Sequence, residues 1–237
     1  MRISVLTSAV LLVSVVYAQA QIGDALKRLG GHGASDNTGQ TASGLKEALD
    51  VGTKNTVAQT GVTNGFFGNE AIKILLPDKL RPLEKGIRMV GQGPLIDQFV
   101  LSMNRAAEKA APAAGDIFKN AISEMSFDDA RRILTGGDTA ATQYFKEHTS
   151  DRLRVAFRPP VKSAMEETGV EQKYKAMVSS VPSTPFSRGP QSFDLDEYVV
   201  GKTLDGLFYV LGQEETKIRT NPAAQVTPLL REVFGHK

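Results

Sequence analysis

Cysteine is absent from this chain of 237 residues, and so is tryptophan. The lack of cysteine excludes disulfides, thiolate metal sites and a cysteine nucleophile together. It also removes the acceptor on which a lipoprotein anchor would be built. An exported chain of this kind must be held by its core alone, and one of this length buries about 70% of its unfolded surface. Histidine is nearly absent as well: His32, His148 and His236 stand apart, with no pair at the spacing that puts two imidazoles on one helical face. Zinc needs three or four such ligands, and no Asp-x-Asp-x-Asp-Gly calcium loop occurs. No metal and no cofactor are expected. The missing tryptophan and the scarcity of other aromatics argue against a sugar-stacking surface. The net charge is only +2, with no long block of one sign. Nucleic-acid binders carry a basic stripe with interleaved aromatics, and none is visible, so no nucleic-acid partner is expected.

What is present begins with an address. Arg2, the apolar run Val5 to Val16 and the small-residue site Ala18-Gln19-Ala20 have the three parts of a secretory signal. The run is shorter than the roughly 20 apolar residues of a spanning helix. Cleavage after Ala20 would make Gln21 the first residue of a periplasmic or secreted protein, with no stable membrane insertion afterwards. Residues 21–42, rich in glycine, read as a flexible tether, and the folded domain is expected over 43–235.

From Ser43 the apolar period is helical. Ser43 is placed to N-cap a helix carrying Leu45, Ala48, Leu49 and Val57 and ending at Gly61. Residues 72–76 read as a short extended segment before Pro77. Leu80, Leu83, Ile87 and Val90 mark one face of the next helix, which Gly91-Gln92-Gly93 stops. Pro94 opens another, with Leu95, Phe99, Met103, Ala106 and Ala110 inward and Pro112 at its end. Ile117, Phe118, Ala121, Ile122 and Met125 follow on the next. Ser126 and Asp129 have capping-box spacing. Asp138 is expected to cap the helix after Gly136-Gly137, and Pro159-Pro160 to kink or split the one carrying Leu153, Phe157 and Val161. Tyr174, Met177 and Val178 lie on a short helix, and residues 179–193 form a proline-serine loop. Asp194 or Asp196 then starts the longest helix, with Val200, Leu204, Leu207, Leu211 and Ile218 inward. Thr227-Pro228 opens a last short helix. The prediction is an all-α single domain of about nine helices with short connections.

Several blocks then carry a resemblance: Gly44 to Leu49, Leu101 to Glu108, Met125 to Ala130, Ala141 to Phe145, Thr149 to Asp151 and Leu204 to Phe208. In this order they resemble the domain-of-unknown-function family 4197 over about residues 43–235. The resemblance implies a helical fold and export, since members are mostly bacterial and exported; the family has no established activity. Some members look like lipoproteins, from which this chain departs by lacking the cysteine.

Motifs with chemistry are weak. Gly201-Lys202-Thr203 matches only the end of a phosphate loop, because position 196 is aspartate where a glycine is needed. No Gly-x-Ser-x-Gly elbow occurs. His148, Ser150 and Asp151 are neighbours in sequence, but adjacent residues at a helix start do not face one another; Thr149 or Ser150 is expected to cap there, with Asp151 complementing the dipole. Asp194 and Asp196 are read as capping residues. The densest polar cluster is Ser102, Asn104, Arg105 and Glu108, where Asn104 and Arg105 reach Glu108 across one turn. Gln143, Tyr144 and Arg219 are candidates to join it. Such a group either orients a ligand or forms a buried network between helices, and the structural role is favoured. Arg105 is expected to pair with a carboxylate. Phe66-Phe67 and Phe186 read as loop anchors.

The leading functional expectation is a non-enzymatic exported protein that acts by binding or envelope association, with an unknown protein or small-molecule partner. One rival is a hydrolase or lyase using Glu108, Arg105 and Asp151 at a polar cleft. Another is a carrier of a lipid or other apolar ligand, suggested by the alanine-rich stretch Ala106 to Ala114.

Overall fold

The computed structural model describes residues 33–179 and 194–221. The expectations for the signal segment, for the tether up to residue 32, for the loop with Phe186 and for the helix at Thr227-Pro228 lie outside the described residues. Among those described, the chain is helical without strands: α1 (Gly33–Thr60), α2 (Arg81–Met89), α3 (Gly93–Ala110), α4 (Ala114–Glu124), α5 (Phe127–Thr135), α6 (Ala140–Glu167), α7 (Val170–Ser179) and α8 (Leu195–Thr220), with single 3-10 turns at Asp78–Leu80 and Ala111–Ala113. The all-α class holds. The count of about nine is not confirmed, since eight α-helices fall within the described residues.

Three helices, α3, α6 and α8, pack on one another at the centre. α1 lies against α8 and α4, α4 against α6, α7 and α2 against α3, and α5 bridges α1 and α6. The interior is aromatic where α4, α6 and α8 meet: Phe118 sits 5.1 Å from Phe145 and 6.3 Å from Phe208, centroid to centroid. Edge-on and tilted pairs of this kind add to the area they bury. Phe99 of α3 meets Tyr174 of α7 at 6.2 Å. The alanines of α3 let neighbouring helices close in, and Ala106, Ala107, Ala110, Ala111 and Ala114 are all fully buried.

The apolar period placed most core residues correctly. Leu83 and Ile87, Phe99 and Met103, Leu153 and Phe157, and the five predicted residues of α8 are all buried. The segment around Ile74 is extended, with Ile72, Ile74 and Leu76 inward and Leu75 outward. Ser126 and Asp129 form the capping box, each side chain bonded to the other's backbone amide. Asp194 caps α8, its Oδ1 accepting from the Glu197 amide at 2.9 Å.

Six readings need correction. The helix α1 starts at Gly33 rather than at Ser43, whose hydroxyl donates to the Gly39 carbonyl inside the helix. Once a helix has formed, each added residue gains a hydrogen bond, so it extends N-terminal to the expected cap. Val90 is 56% exposed, because the chain leaves the helix at Met89 and turns through Gly91 at φ 79°. Pro159 and Pro160 do not split α6, which runs unbroken from Ala140 to Glu167. The carbonyls that lose amide partners belong to Val155 and Ala156, and Val155 is 69% exposed, on the side where water can satisfy them; Phe157 and Val161 pin the helix from the buried side. Thr149 and Ser150 therefore cap nothing: they lie mid-helix and donate to the Phe145 and Lys146 carbonyls, both at 2.6 Å. α8, at 26 residues, is shorter than α1 and α6 at 28 each. Asp138 does not cap α6 either; a residue remote in sequence does, as described next.

Candidate functional site

The predicted polar cluster divides into two anchors. The first ties the loop between α1 and α2 to α3. Asn104, fully buried, holds Ile74 by both backbone groups: its Oδ1 accepts from the Ile74 amide and its Nδ2 donates to the Ile74 carbonyl, each at 2.8 Å. Glu108 Oε1 accepts from the amides of Phe66 and Phe67 at 3.1 and 3.0 Å, while Oε2 takes Arg105 at 2.5 Å. Arg105 also donates to Asn64 Oδ1 at 2.8 Å and lies over the Phe67 ring. Asn64 adopts φ 68°, a left-handed conformation that asparagine tolerates better than most residues. Phe66 is completely buried, as an anchor should be, and Phe67 partly so.

The second anchor ties α8 to the start of α6 and to α1. Glu215 of α8 accepts from the amides of Ala141 and Thr142 and from the Thr142 hydroxyl, all at 2.8 Å. These are orphan donors at the N-terminus of α6, where a carboxylate also meets the favourable end of the helix dipole. Arg219 holds Glu215 through Nε and an Nη at 3.0 and 2.9 Å, and donates to the Ile133 carbonyl of α5. Beside it, Glu214 accepts from Asn55 and Gln59 of α1, both at 2.9 Å. Glu215 and Glu214 escaped the sequence reading because their partners on other helices are 73 to 159 residues away.

The remaining candidates do not join Arg105. Tyr144 donates to the Ala121 carbonyl at 3.1 Å and stacks on His148, and burial raises its phenol pKa above the ordinary value. Gln143 is exposed and donates to Glu147. Asp151 is exposed on α6. Ser102 is 4% exposed and lies 2.9 Å from Lys173 Nζ on α7, a lysine that sequence reasoning missed. A serine beside a lysine can be a nucleophile with its base. Here, however, the Ser102 hydroxyl donates to the Gln98 carbonyl and Lys173 also holds the Thr168 carbonyl, so the contact fastens α7 to α3.

Open space lies elsewhere, along the outward stripe of α8. Lys202, Asp205, Tyr209, Gln213, Thr216 and Thr220 recur at helical spacing on the side away from the core. On one flank the extended segment 71–77 and the turn to Arg81 form the far wall of a groove of about 630 Å³. Its apolar lining is Ile72, Leu75, Leu76, Pro77, Tyr198 and Gly206. The Tyr198 hydroxyl donates to the Leu75 carbonyl at 2.9 Å, and burial raises its pKa. On the other flank α6 contributes Thr139, Thr142, Gln143 and Lys146 to a second groove of about 590 Å³. Tyr209, 47% exposed, borders both.

Gly206 explains how the first wall comes so close. A Cβ there would lie 2.5 Å from Phe66 Cε1 and 3.1 Å from Ile72 Cβ. The glycine lets the Glu108-anchored loop seat directly on α8, so the structural anchor also shapes the groove.

A family model, "Protein of unknown function (DUF4197)", matches residues 35–235. The chain belongs to the DUF4197 family. The match begins inside α1 and extends past α8, so both anchors and both grooves fall within the family domain. No curated protein and no solved structure matches the chain.

Proposed function

We propose that this DUF4197 protein is exported and acts without catalysis, by binding a partner across the outward stripe of α8. The observation that carries the reading is how the polar groups are divided. The buried carboxylates Glu108, Glu214 and Glu215 are each held by donors that join helices or loops. The two wide grooves instead leave hydroxyls, amides and ammonium groups facing water. A hydrolase or lyase at Arg105 and Glu108 has less support, since both side chains are committed to the loop they hold. A lipid carrier has less support too. The alanine-rich stretch is closed by packing, and the apolar pocket between Leu45, Leu49, Phe145, Leu211 and Ile218 measures about 20 Å³, room for about one water. Export rests on the signal-like N-terminus, and a cysteine-free chain folds equally well in an oxidising compartment.

Two measurements test the proposal. Intact mass of the protein from its own compartment is expected to begin at Gln21; a species retaining residues 1–20 in the membrane fraction overturns export. A photo-reactive residue at Tyr209 is expected to capture a discrete partner that the same residue at Val155, exposed on α6, does not. Capture from neither position, or from both alike, overturns the α8 reading.

A further inference from the structure

We infer that the α8 face receives an acidic, amphipathic peptide segment of a partner protein. The inference rests on the α8 face being the contact surface, and goes beyond it by naming the chemistry of the occupant. The two grooves are lined by six cations, Lys73, Lys79, Arg81, Lys146, Lys202 and Lys217, against the two carboxylates Asp78 and Asp205. The surplus is four in the lining and two once Glu70 and Glu214, the partners of Lys73 and Lys217, are counted, so this one face holds as much positive charge as the +2 of the whole chain. Both lining carboxylates are already paired, Asp78 with Arg81 at 2.8 Å and Asp205 with Lys202 at 3.1 Å. Glu70 and Glu214 approach Lys73 and Lys217 from outside the lining, and Glu70 is largely exposed, where water and salt screen it. Among the described residues no ion pair holds Lys79, at one end of the face, or Lys146, beside Phe208 at the other.

The surface between these cations is apolar: Leu75 and Tyr209 are exposed and Tyr198 is partly so. A cationic rim over an apolar floor complements a segment that presents carboxylates on one side and aliphatic or aromatic side chains on the other. The chain's own remaining stretches are unsuitable occupants. Residues 21–32, 180–193 and 222–237 carry Lys27, Arg28, Arg188, Arg231 and Lys237 against only Asp24 and Glu232, the same sign as the face. A second copy of the face would repel for the same reason.

The probe is a short fluorescent peptide alternating glutamate with leucine, titrated against the mature protein and followed by anisotropy. Polyglutamate, a lysine-leucine peptide and phosphatidylglycerol vesicles serve as comparisons. The expected result is saturable binding of the glutamate-leucine peptide. It should weaken about tenfold in the Lys79→Glu/Lys202→Glu variant and more weakly in Lys79→Ala/Lys146→Ala. It should be unchanged in Lys119→Glu, a substitution on the exposed side of α4. All these positions are exposed, so circular dichroism should find the variants folded. Binding should also fall at about 1 M salt, where the Debye length is about 3 Å. Equal binding of polyglutamate or of the lysine-leucine peptide, loss of binding in Lys119→Glu alone, or binding of vesicles but not of peptide each overturns the inference. If a partner is captured at Tyr209 while the peptide fails to bind, the α8 surface stands and the acidic occupant falls.

Discussion

Removing the Glu108 carboxylate should be among the most damaging single changes in this protein. Its side chain is 5% exposed and satisfies three donors: the Phe66 and Phe67 amides and the Arg105 guanidinium. In Glu108→Ala the two amides lose their acceptor. The Phe66 amide is buried and that of Phe67 partly so, and an unsatisfied buried donor costs roughly 1–3 kcal/mol. Arg105 is 29% exposed and can turn to water, adding roughly 0–1 kcal/mol. The total is about 4 kcal/mol, a large fraction of the roughly 5–15 kcal/mol by which a domain is stable. Glu108→Gln keeps an oxygen for the amides but turns an NH2 toward the guanidinium, and should cost about 1–2 kcal/mol. Arg105→Ala leaves Glu108 with both amide donors and should cost about 1 kcal/mol, with Arg105→Lys recovering part of it. Guanidinium denaturation of these variants and of the Arg105→Ala/Glu108→Ala pair gives the ordering and the coupling. Hydrogen exchange at the Phe66, Phe67 and Ile74 amides locates the damage, which should include the wall of the first groove. Glu108→Ala within about 1 kcal/mol of wild type, or no worse than Arg105→Ala, would refute the anchor argument.

Gly206→Ala should destabilise by roughly 1–3 kcal/mol, since Phe66 must leave its site to admit a methyl group that would otherwise lie 2.5 Å from its ring; an unchanged melting midpoint would sink this account of the loop–α8 contact. The capping box should show in the pH profile. The Ser126 hydroxyl first, and then Arg132, hold the Asp129 pKa below its ordinary value of 3.8. The depressed pKa means that the stabilisation is complete above 3.8 and is lost as pH falls through the lower folded value. Ser126→Ala, costing about 1 kcal/mol near neutrality, should therefore lie closer to wild type in acid, the remaining gap being the Asp129 amide that the hydroxyl also caps, and a gap independent of pH would count against the pairing.

The sequence by itself determined the local architecture. Apolar residues three and four apart specify a helical face whatever packs on it, so Leu83 and Ile87, Leu153 and Phe157, and Leu204 to Leu211 were legible as core. Ser126 with Asp129, and a cap at Asp194 or Asp196, were legible because a cap and its amides lie within one turn, and the structure gives that cap to Asp194. The family blocks were readable for the same reason, being local patterns. Only the tertiary structure decided which polar residues meet across long separations in the chain. Glu215 caps a helix through the amide of Ala141, 74 residues earlier, and no periodicity encodes that distance. Tyr144, Gln143 and Asp151 looked like partners for Arg105 by type, but helix packing put them elsewhere. Charge behaved likewise: Lys79, Lys146 and Lys202 are scattered along a chain without any basic run, and share one face only because segment 71–81 and α6 flank α8. A helix face depends on neighbours in sequence, whereas a binding surface depends on neighbours in space.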